Sequence, residues 1–516
     1  MARAEQSPNG VSSNSKSADN NDKQIQPVRL GVLVSSIGIG IFMSALDESI
    51  ITVGIPKITI HFGTDKLHVQ WVVLVYLLVI VALTAGAGHL GDRFSTKRVF
   101  QSGMVIFAVG SLLCALTGYS DKLILLILAR MVQAVGAAGL LANGNAIVAR
   151  FTDDEKRGLA IGLAALIAAL GVVVGPALGG VMIQYLGWAS VFWINVPIGV
   201  FGFIYVHFAI PPTPSLEKDE NQTGDPFGSI LFAVFMTAFI TSITLFAETT
   251  INRPIMWSGI CFGLSILLFI GFILWERRVK YPFINLKLFK NRKFTIGIFC
   301  ALATYIALNS VAFQLPFYLN DILNYTTLQI GLVIMTVPIG LGITAPIFGK
   351  ISSKVDSRIL SSIGLGAIFL ALLIGSLLIK FESPLWFYII IAAIIGLAIG
   401  TFISPNSNSV MSSVPKDELG VVSGFLQLAR NIGYTIGTAL STTIFYFILN
   451  LVMQETGIPG ETAVENYVPT VKILFGILGV FMVIAIILSV FRGPETWHEN
   501  NNSHSKTIED EEATLE

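Results

Sequence analysis

Residues 158–183 read GLAIGLAALIAALGVVVGPALGGVMI, a stretch without a charged side chain. An α-helix rises about 1.5 Å per residue and about 20 apolar residues cross a bilayer core, so this stretch is long enough to span a membrane. None of the apolar stretches shows the alternation of a β-barrel strand, which would be about ten residues long. The sequence therefore predicts an all-α integral membrane protein. Its fourteen candidate spans lie at 29–53, 69–88, 99–118, 122–149, 158–183, 189–210, 227–247, 256–275, 294–315, 328–349, 359–379, 385–405, 421–449 and 471–491.

The composition excludes several classes of protein. Hydrophobic residues make up 53% of the 516-residue chain and charged residues 12%, whereas a soluble domain carries about 25% charged residues. Because 32 Lys and Arg balance 32 Asp and Glu, a nucleic-acid partner has no electrostatic support. The three cysteines lie in apolar runs and the histidines lack metal-ligand spacing, so we expect no metal site. Without a G-x-x-x-x-G-K-[ST] loop, we expect no nucleotide cofactor and no ATP-driven pump.

The ends of the chain and the basic residues predict an orientation. Residues 1–28 and 492–516 are polar and are predicted to be disordered tails, because neither can bury a core. With both tails in the cytosol, the inside segments hold 24 Lys and Arg and the outside segments hold six. Basic residues accumulate in cytosolic loops, so both termini are predicted to be cytosolic. We expect the plasma membrane, or alternatively a vacuolar or other internal acidic membrane.

An internal repeat predicts the architecture. Gly171 and Gly175 in the fifth span recur as Gly433 and Gly437 in the thirteenth, 262 residues later, and the loops before these spans also match. Repeated halves are typical of transporters whose substrate path lies between the halves. The repeat divides the membrane region into an N-terminal six-helix half (29–210), two inserted helices with flanking loops (211–293) and a C-terminal six-helix half (294–491).

Two arginines lie well inside predicted spans. Arg130 follows Lys122 by eight residues, a depth of about 12 Å in a helix. A charge at that depth is costly unless it faces a water-filled cavity or a partner, and Gln133 lies on the same helical face. In the thirteenth span, Gln427 and Arg430 likewise share a face. Arg430 could contact substrate, relay protons or form an ion pair, and the sequence leaves these roles open.

Four motifs in the first half carry a family resemblance. They are Leu46-Asp47-Glu48-Ser-Ile-Ile-Thr52-Val-Gly-Ile-Pro56, Gly88-His-Leu-Gly-Asp92-Arg93-Phe-Ser95-Thr-Lys97-Arg98, Arg130-Met-Val-Gln133-Ala-Val-Gly136 and Gly171-Val-Val-Val-Gly175-Pro176-Ala-Leu-Gly179-Gly180. With them, the chain resembles the major facilitator superfamily, specifically its fourteen-helix branch of drug:proton antiporters. Downstream, Gly187-Trp188 and Phe192-Trp-Ile-Asn195-Val-Pro197-Ile-Gly199 match a further signature of this branch. Three places depart from the family pattern: Thr52 replaces the usual Asn, Ser95 the usual Gly, and Ala189-Ser190 the Arg-Trp pair that usually follows Gly-Trp.

The resemblance implies a major facilitator fold, with two six-helix bundles and two additional central transmembrane helices. It also implies a conformational gating loop that helps to set the balance between inward- and outward-facing states, formed by Gly88, Asp92, Arg93, Lys97 and Arg98. The antiporter motif implies export by antiport, and it comprises Gly171, Gly175, Pro176, Gly179 and Gly180. Small residues let helices approach closely, and a proline permits a bend.

Asp47 and Arg130 are predicted to form the proton-coupling pair. Counted from Pro56 and Lys122, both lie about 12–14 Å below the outer surface, and the helices that carry them line the cavity in the superfamily. Proton uptake by Asp47 would weaken the pair and free Arg130. The alternative is a permanent ion pair that only holds two helices together. Glu48 is the next candidate for the proton carrier.

The sequence thus predicts a proton-coupled secondary transporter that exports small amphipathic or cationic compounds by alternating access, as in multidrug efflux. The alternative is a transporter of the same fold with a narrow substrate, such as basic amino acids, a siderophore or a secreted metabolite. We do not expect an enzyme, because the sequence shows no nucleophile–base arrangement and no soluble domain. The expected partners are a small-molecule substrate, protons and the lipid bilayer, and the functional unit is predicted to be a monomer.

Overall fold

The computed structural model describes residues 29–152, 154–211, 225–246, 253–280, 282–284, 286–352, 354–380, 383–414, 419–457 and 464–493. In these ranges the chain forms sixteen α-helices and no β-strand. The helices are α1 (Leu30–His61), α2 (Lys66–Val69), α3 (Trp71–Arg93), α4 (Thr96–Leu116), α5 (Leu123–Phe151), α6 (Asp154–Leu186), α7 (Ser190–Trp193), α8 (Asn195–Ala209), α9 (Pro226–Phe246), α10 (Pro254–Glu276), α11 (Arg292–Phe317), α12 (Thr327–Ile351), α13 (Ser357–Leu378), α14 (Leu385–Ser412), α15 (Leu419–Thr456) and α16 (Val464–Val490). The predicted tail at 1–28, and all but two residues of the one predicted at 492–516, lie outside the described residues.

The predicted set of membrane spans is confirmed. In the described part of the chain, fourteen helical segments are long and apolar enough to cross a bilayer. The second and sixth spans each begin with a short separate helix, α2 before α3 and α7 before α8. The all-α fold predicted from the hydropathy pattern is therefore present.

Three predicted span boundaries are wrong because the helices continue through prolines. α1 runs past Pro56 to His61, α14 runs past Pro405 to Ser412, and α16 begins before Pro469. A proline inside a helix removes one backbone hydrogen bond, a loss that neighbouring helices and side chains can compensate in a membrane protein. Pro56 and Pro405 are both buried, so tertiary packing stabilises the helix at these points.

Equivalent glycine contacts relate the two bundles, which are formed by α1–α8 and α11–α16. In the first bundle, Gly171 of α6 packs against α1, where a Cβ on it would lie 2.8 Å from the carbonyl oxygen of Phe42. In the second bundle, Gly433 of α15, its counterpart 262 residues later, packs against α11, where a Cβ would lie 2.6 Å from the Cβ of Tyr305 and 3.1 Å from the carbonyl oxygen of Leu302. Contacts this close exclude any larger residue. The glycine repeat in the sequence therefore corresponds to two equivalent helix pairs.

The inserted helices α9 and α10 lie beside both bundles. They pack on each other, and α9 also packs on α3 of the first bundle and α15 of the second. Leu74, Ile240 and Ala439 form a small buried cluster where these three helices meet. The α10 helix leaves most of its apolar side chains exposed, as expected for a helix that faces lipid. Two bundles with two additional helices are thus present, while the exact bounds 29–210, 211–293 and 294–491 remain a prediction.

The helix bundle has two ends, one on each side of the membrane, called the terminal end and the far end below. The terminal end contains the start of α1 and the end of α16, because fourteen crossings return the chain to its starting side. The far end contains the loop after α1 and the start of α12. At the far end the bundles touch: a Cβ on Gly180 would lie 2.9 Å from the carbonyl oxygen of Thr327, and the Leu328 amide donates to Gln184 Oε1 at 3.3 Å.

Candidate transport site

Asp47 lies in the middle of α1 and is fully buried. Its Oδ2 is 2.7 Å from Arg130 Nη1. Its Oδ1 accepts hydrogen bonds from Gln133 Nε2 at 2.8 Å and from Asn195 Nδ2 at 2.9 Å. A buried charge is tolerated only when it is paired and hydrogen-bonded, and this carboxylate has an ion pair and three donors. The predicted contact between Asp47 and Arg130 is therefore present in the structure.

Arg130 of α5 is equally buried and commits most of its guanidinium to fixed partners. Nη1 donates to Gln133 Oε1 at 2.6 Å as well as to Asp47, and Nε donates to the carbonyl oxygen of Val72 at 3.2 Å. The guanidinium carbon lies 4.1 Å from the ring centroid of Tyr76, within the range of a cation–π contact. Arg130 thus connects α5 to α1 and to α3.

Gln133 joins the pair to α4. Its amide nitrogen donates to Ser111 Oγ at 2.7 Å in addition to Asp47, and its amide oxygen accepts from Arg130. Both of its amide hydrogens are therefore used, so the orientation of the side chain is fixed by the network. The predicted grouping of Arg130 and Gln133 on one face is confirmed by these contacts.

Sequence reasoning missed three members of this network: Ser111, Tyr76 and Asn195. Asn195 is the first residue of α8 and is fully buried. The signal that could have identified it is a lone amide in an otherwise apolar span, in the run Phe192-Trp-Ile-Asn195-Val-Pro197. Ser111 and Tyr76 gave no comparable signal, because a serine or a tyrosine inside a membrane helix is common.

Glu48 faces a different partner from its neighbour Asp47. Consecutive residues of a helix are rotated by about 100°, so the two carboxylates of α1 point to different helices. Glu48 Oε2 lies 3.9 Å from Arg430 Nη2 of α15, which makes an ion pair between the two bundles. The side chains of Arg430 and Glu48 are 32% and 28% exposed, in contrast to the fully buried Asp47.

Gln427, the remaining polar residue predicted for the site, stands one turn before Arg430 on the same face of α15. It is half-buried. The hydrogen bonds between described residues do not connect it to Asp47 or to Glu48. The structure therefore brings together Asp47, Arg130 and Gln133 in one group and Glu48 and Arg430 in another, with Gln427 beside the second.

The antiporter motif packs α6 against both bundles. Gly171, Gly175 and Gly179 face α1, where a Cβ on Gly175 would meet Ser49 and the amide of Ile50. On the other side of α6, a Cβ on Gly331 of α12 would meet the carbonyl group of Pro176, and Gly180 faces the start of α12. The motif thus lets α6 approach α1 of its own bundle and α12 of the other bundle. Its contacts on α1, Ser49 and Ile50, directly follow Asp47 and Glu48 in the sequence.

The predicted gating loop is described only in part. The side chains of Asp92 and Arg93 lie outside the described residues, and Gly88 approaches Ala142 of α5. Lys97 is buried and its Nζ donates to the carbonyl oxygens of His207, at 2.8 Å, and Ile210. Cations stabilise the carbonyl end of a helix, so Lys97 attaches the start of α4 to the end of α8, while Arg98 is exposed.

A second ion pair joins the bundles at the far end. Lys66 Nζ lies 3.5 Å from Asp321 Oδ2 and donates to the Tyr467 hydroxyl at 2.8 Å. The same ammonium lies 4.7, 4.8 and 4.4 Å from the ring centroids of Phe317, Phe445 and Tyr467. Only Lys66 comes from the first bundle, so this group, called the Lys66 cluster below, closes the far end. Among the described residues, no group of three or more His, Cys, Asp or Glu could hold a metal ion.

Comparison with known proteins agrees with this architecture. The chain is 34% identical to the riboflavin transporter RibZ of Clostridioides difficile (strain 630), over 80% of this chain and 88% of that protein. It is 29% identical to the drug efflux pump JefA of Mycobacterium tuberculosis, over 83% of this chain and 82% of that protein. It is also 28% identical to the uncharacterized transporter YebQ of Escherichia coli (strain K12), over 80% of this chain and 88% of that protein.

Solved structures share the fold. A bacterial homologue of the human lysosomal transporter Spinster, in an inward-facing and occupied conformation, matches with a TM-score of 0.65 at 14% identity, over 90% of this chain and 96% of that one. The sequence profile of the Major Facilitator Superfamily matches residues 37–438 and 299–510. The match covers most of the chain, including both bundles. The chain therefore belongs to the major facilitator superfamily and is a transporter by family.

Proposed function

We propose that this protein is a proton-coupled secondary transporter that exports small amphipathic compounds by alternating access, with the terminal end in the cytosol. The observation that carries the proposal is the fully buried Asp47 carboxylate, bound to Arg130, Gln133 and Asn195 inside one bundle. In a membrane helix, a charge in this setting is kept for function more often than for stability. One relative is named a drug efflux pump and another a multidrug resistance protein, which supports export.

The proton step follows from the contacts of Asp47. When the carboxylate binds a proton, it loses its charge and its attraction to the Arg130 guanidinium. Arg130 keeps its bonds to the Val72 carbonyl and to Gln133, so it stays in place while its link to α1 weakens. The α1 helix also carries Glu48, which contacts the other bundle. Protonation of Asp47 is thereby connected to the helix that carries the Glu48–Arg430 contact between the two bundles.

The test uses proteoliposomes with an imposed pH gradient. In an antiporter, protons that leave an acidic lumen drive substrate into it, whereas a symporter concentrates substrate only when the outside is acidic. We expect accumulation of an amphipathic probe such as riboflavin with an acidic lumen, abolished by a protonophore. Accumulation only with an acidic outside, or accumulation that ignores the gradient and depends on ATP, would contradict proton antiport.

A second candidate is a transporter of one narrow substrate. The observation that favours it is the 34% identity to a riboflavin transporter, which exceeds the identity to the drug efflux relatives. A panel of unrelated amphipathic dyes separates the two candidates in the same proteoliposomes. Gradient-driven movement of several dyes supports multidrug export, and movement of riboflavin alone supports the narrow-substrate candidate.

A further inference from the structure

The Arg430 guanidinium uses little of its hydrogen-bonding capacity. An arginine has five N–H donors, yet the hydrogen bonds between described residues include none from Arg430, and its Nε is buried without a partner. Its carboxylate neighbour Glu48 is 3.9 Å away, which is too far for a hydrogen bond. Arg130, by contrast, donates three. A buried donor without an acceptor costs free energy, so Arg430 has N–H donors available for an acceptor on a ligand.

Arg430 borders the space between the bundles. It follows the start of α15 at Leu419 by eleven residues, which places it about 16 Å along the helix and well inside the membrane. Its side chain is nevertheless about one third exposed and points to Glu48 of the other bundle. A residue at this depth that is accessible and faces the opposite half lines an internal cavity, not the lipid.

Aromatic side chains surround the guanidinium. The ring centroid of Tyr434, one turn along α15, lies 5.8 Å from its central carbon. The ring of Tyr305 on α11 meets Tyr434 edge to face, with centroids 5.6 Å apart, and both tyrosines are half-buried. Asn309 Nδ2 donates to the Tyr434 carbonyl oxygen at 2.7 Å and fixes this turn of α15 against α11. Half-buried rings beside a cation can stack a planar aromatic ligand.

The charges favour a ligand that accepts hydrogen bonds over one that carries a positive charge. Asp47 and Arg130 neutralise each other inside the first bundle, so the charged pair that faces the space between the bundles is Glu48 and Arg430. In this pair the unused donors belong to Arg430. An anionic or carbonyl-rich edge would satisfy them and release Glu48, whereas a cation would leave them unsatisfied and would be repelled by the guanidinium.

We propose that Arg430, Tyr434 and Tyr305 form the binding site for a planar aromatic substrate that carries a hydrogen-bond-accepting edge, either anionic or rich in carbonyl groups. Arg430 donates to that edge and the tyrosine rings contact the ring system. Without substrate, Glu48 forms a weak ion pair with Arg430. The substrate displaces Glu48 when it binds. This assignment rests on the proposed transport function and specifies its substrate class.

The test is an equilibrium binding measurement on the purified full chain in detergent, without a pH gradient. Three fluorescent planar probes separate the chemistries: riboflavin has a neutral carbonyl-rich edge, fluorescein is anionic, and ethidium is a cation without an acceptor edge. We expect riboflavin or fluorescein to bind the parent protein, and Arg430→Gln to weaken that binding at least tenfold, as loss of a charged hydrogen bond does. Arg358→Gln removes an arginine from the Asp356 pair at the start of α13 and should leave binding unchanged.

Two further variants distinguish this site from a general effect on folding. Glu48→Gln removes the competitor of the substrate and should strengthen fluorescein binding, a gain that damaged protein cannot produce. Tyr434→Phe keeps the ring and should preserve binding, whereas Tyr434→Leu should weaken it. The assignment is overturned if only ethidium binds, if none of the probes binds, or if Arg430→Gln leaves the affinity for riboflavin and fluorescein unchanged.

The experiments distinguish an error in the proposed substrate class from an error in the proposed proton coupling. If proton antiport is wrong, transport will ignore the gradient while the three probes still bind in the predicted order. If the substrate class is wrong, the probes will bind in another order while an unrelated dye still moves against its gradient.

Discussion

Among the described residues, two pairs of an acid and an arginine lie inside the membrane, and they differ in almost every physical property. Asp47 and Arg130 belong to one bundle, are fully buried and lie 2.7 Å apart, with Gln133 and Asn195 completing the network. Glu48 and Arg430 belong to different bundles, are about one third exposed and lie 3.9 Å apart. The two acids are adjacent in sequence, so the local sequence alone does not separate them.

The difference indicates a division of labour during alternating access. A pair inside one bundle keeps its geometry when the bundles move, so it can change its protonation state without being pulled apart. A pair between bundles must separate when the bundles rock, and a weak pair separates at a low cost. The Asp47–Arg130 arrangement suits proton binding. The Glu48–Arg430 arrangement lets Arg430 exchange Glu48 for a substrate.

The largest expected effect is a loss of protein stability when the Asp47–Arg130 pair is broken. Arg130→Gln leaves a buried carboxylate without its counter-ion, and breaking a buried pair in this way costs about 3–5 kcal/mol. We expect thermal unfolding in detergent to show a loss in this range. The double variant Asp47→Asn/Arg130→Gln removes both charges and should recover part of it. A loss in the double variant equal to the sum of the losses in Asp47→Asn and Arg130→Gln would mean that the pair is not coupled.

Asn195 provides the second test of the buried network. Asn195→Leu removes a hydrogen bond to the Asp47 carboxylate, which contributes about 1.5–3 kcal/mol when one partner is charged. We expect a loss of stability of that size, measured by the same unfolding assay. Trp386→Leu, at an exposed apolar position, serves as the control and should change stability little.

The Lys66 cluster extends the comparison to a second contact between the bundles. Lys66→Met should shift the equilibrium away from far-end closure by about 1–2 kcal/mol, a factor of 5–30 in the populations. Spin labels at Tyr119→Cys and Trp386→Cys, two exposed positions in different bundles, should report longer distances. Lys122→Met, an exposed lysine, is the control. Unchanged distances in Lys66→Met would show that the cluster does not hold the far end closed.

The smallest expected effect belongs to Arg430. Because its pair is long and partly exposed, Arg430→Gln should change the free energy of unfolding by about 1 kcal/mol or less, as surface ion pairs do. A loss comparable to that of Arg130→Gln would remove the distinction between the two pairs.

The sequence predicted the features that depend on composition and spacing. Hydropathy alone specified the fourteen spans, and the glycine spacing anticipated that Gly171 and Gly433 make equivalent contacts in the two bundles. Depth counting placed Asp47 and Arg130 at a similar level, and the structure brings them together. The depth of Asp47 was counted from Pro56, although α1 continues to His61. The contact forms nevertheless, because it requires only that Asp47 and Arg130 lie at a similar depth in the membrane.

The features that depend on three-dimensional proximity were missed. The sequence predicts only that Lys66 lies in an outer segment, because nothing in its neighbourhood indicates that Asp321 and three aromatic rings meet it from the other bundle. The role of Arg430 stayed open for the same reason, since Glu48 is nearly 400 residues away in sequence. Prolines were taken as helix ends, whereas buried packing carries α1 and α14 through them.

The most direct test of the central claim is uphill transport by Asp47→Asn in proteoliposomes with an acidic lumen. Asparagine keeps the size of the side chain and an acceptor for Arg130, but it cannot exchange a proton. Substrate–substrate exchange without a gradient should continue near the parental rate, while gradient-driven accumulation should fall to the level set by passive equilibration. Glu48→Gln, measured in parallel, should retain accumulation. If Asp47→Asn accumulates substrate as the parent does, Asp47 is not the proton carrier and the account of the first pair is wrong.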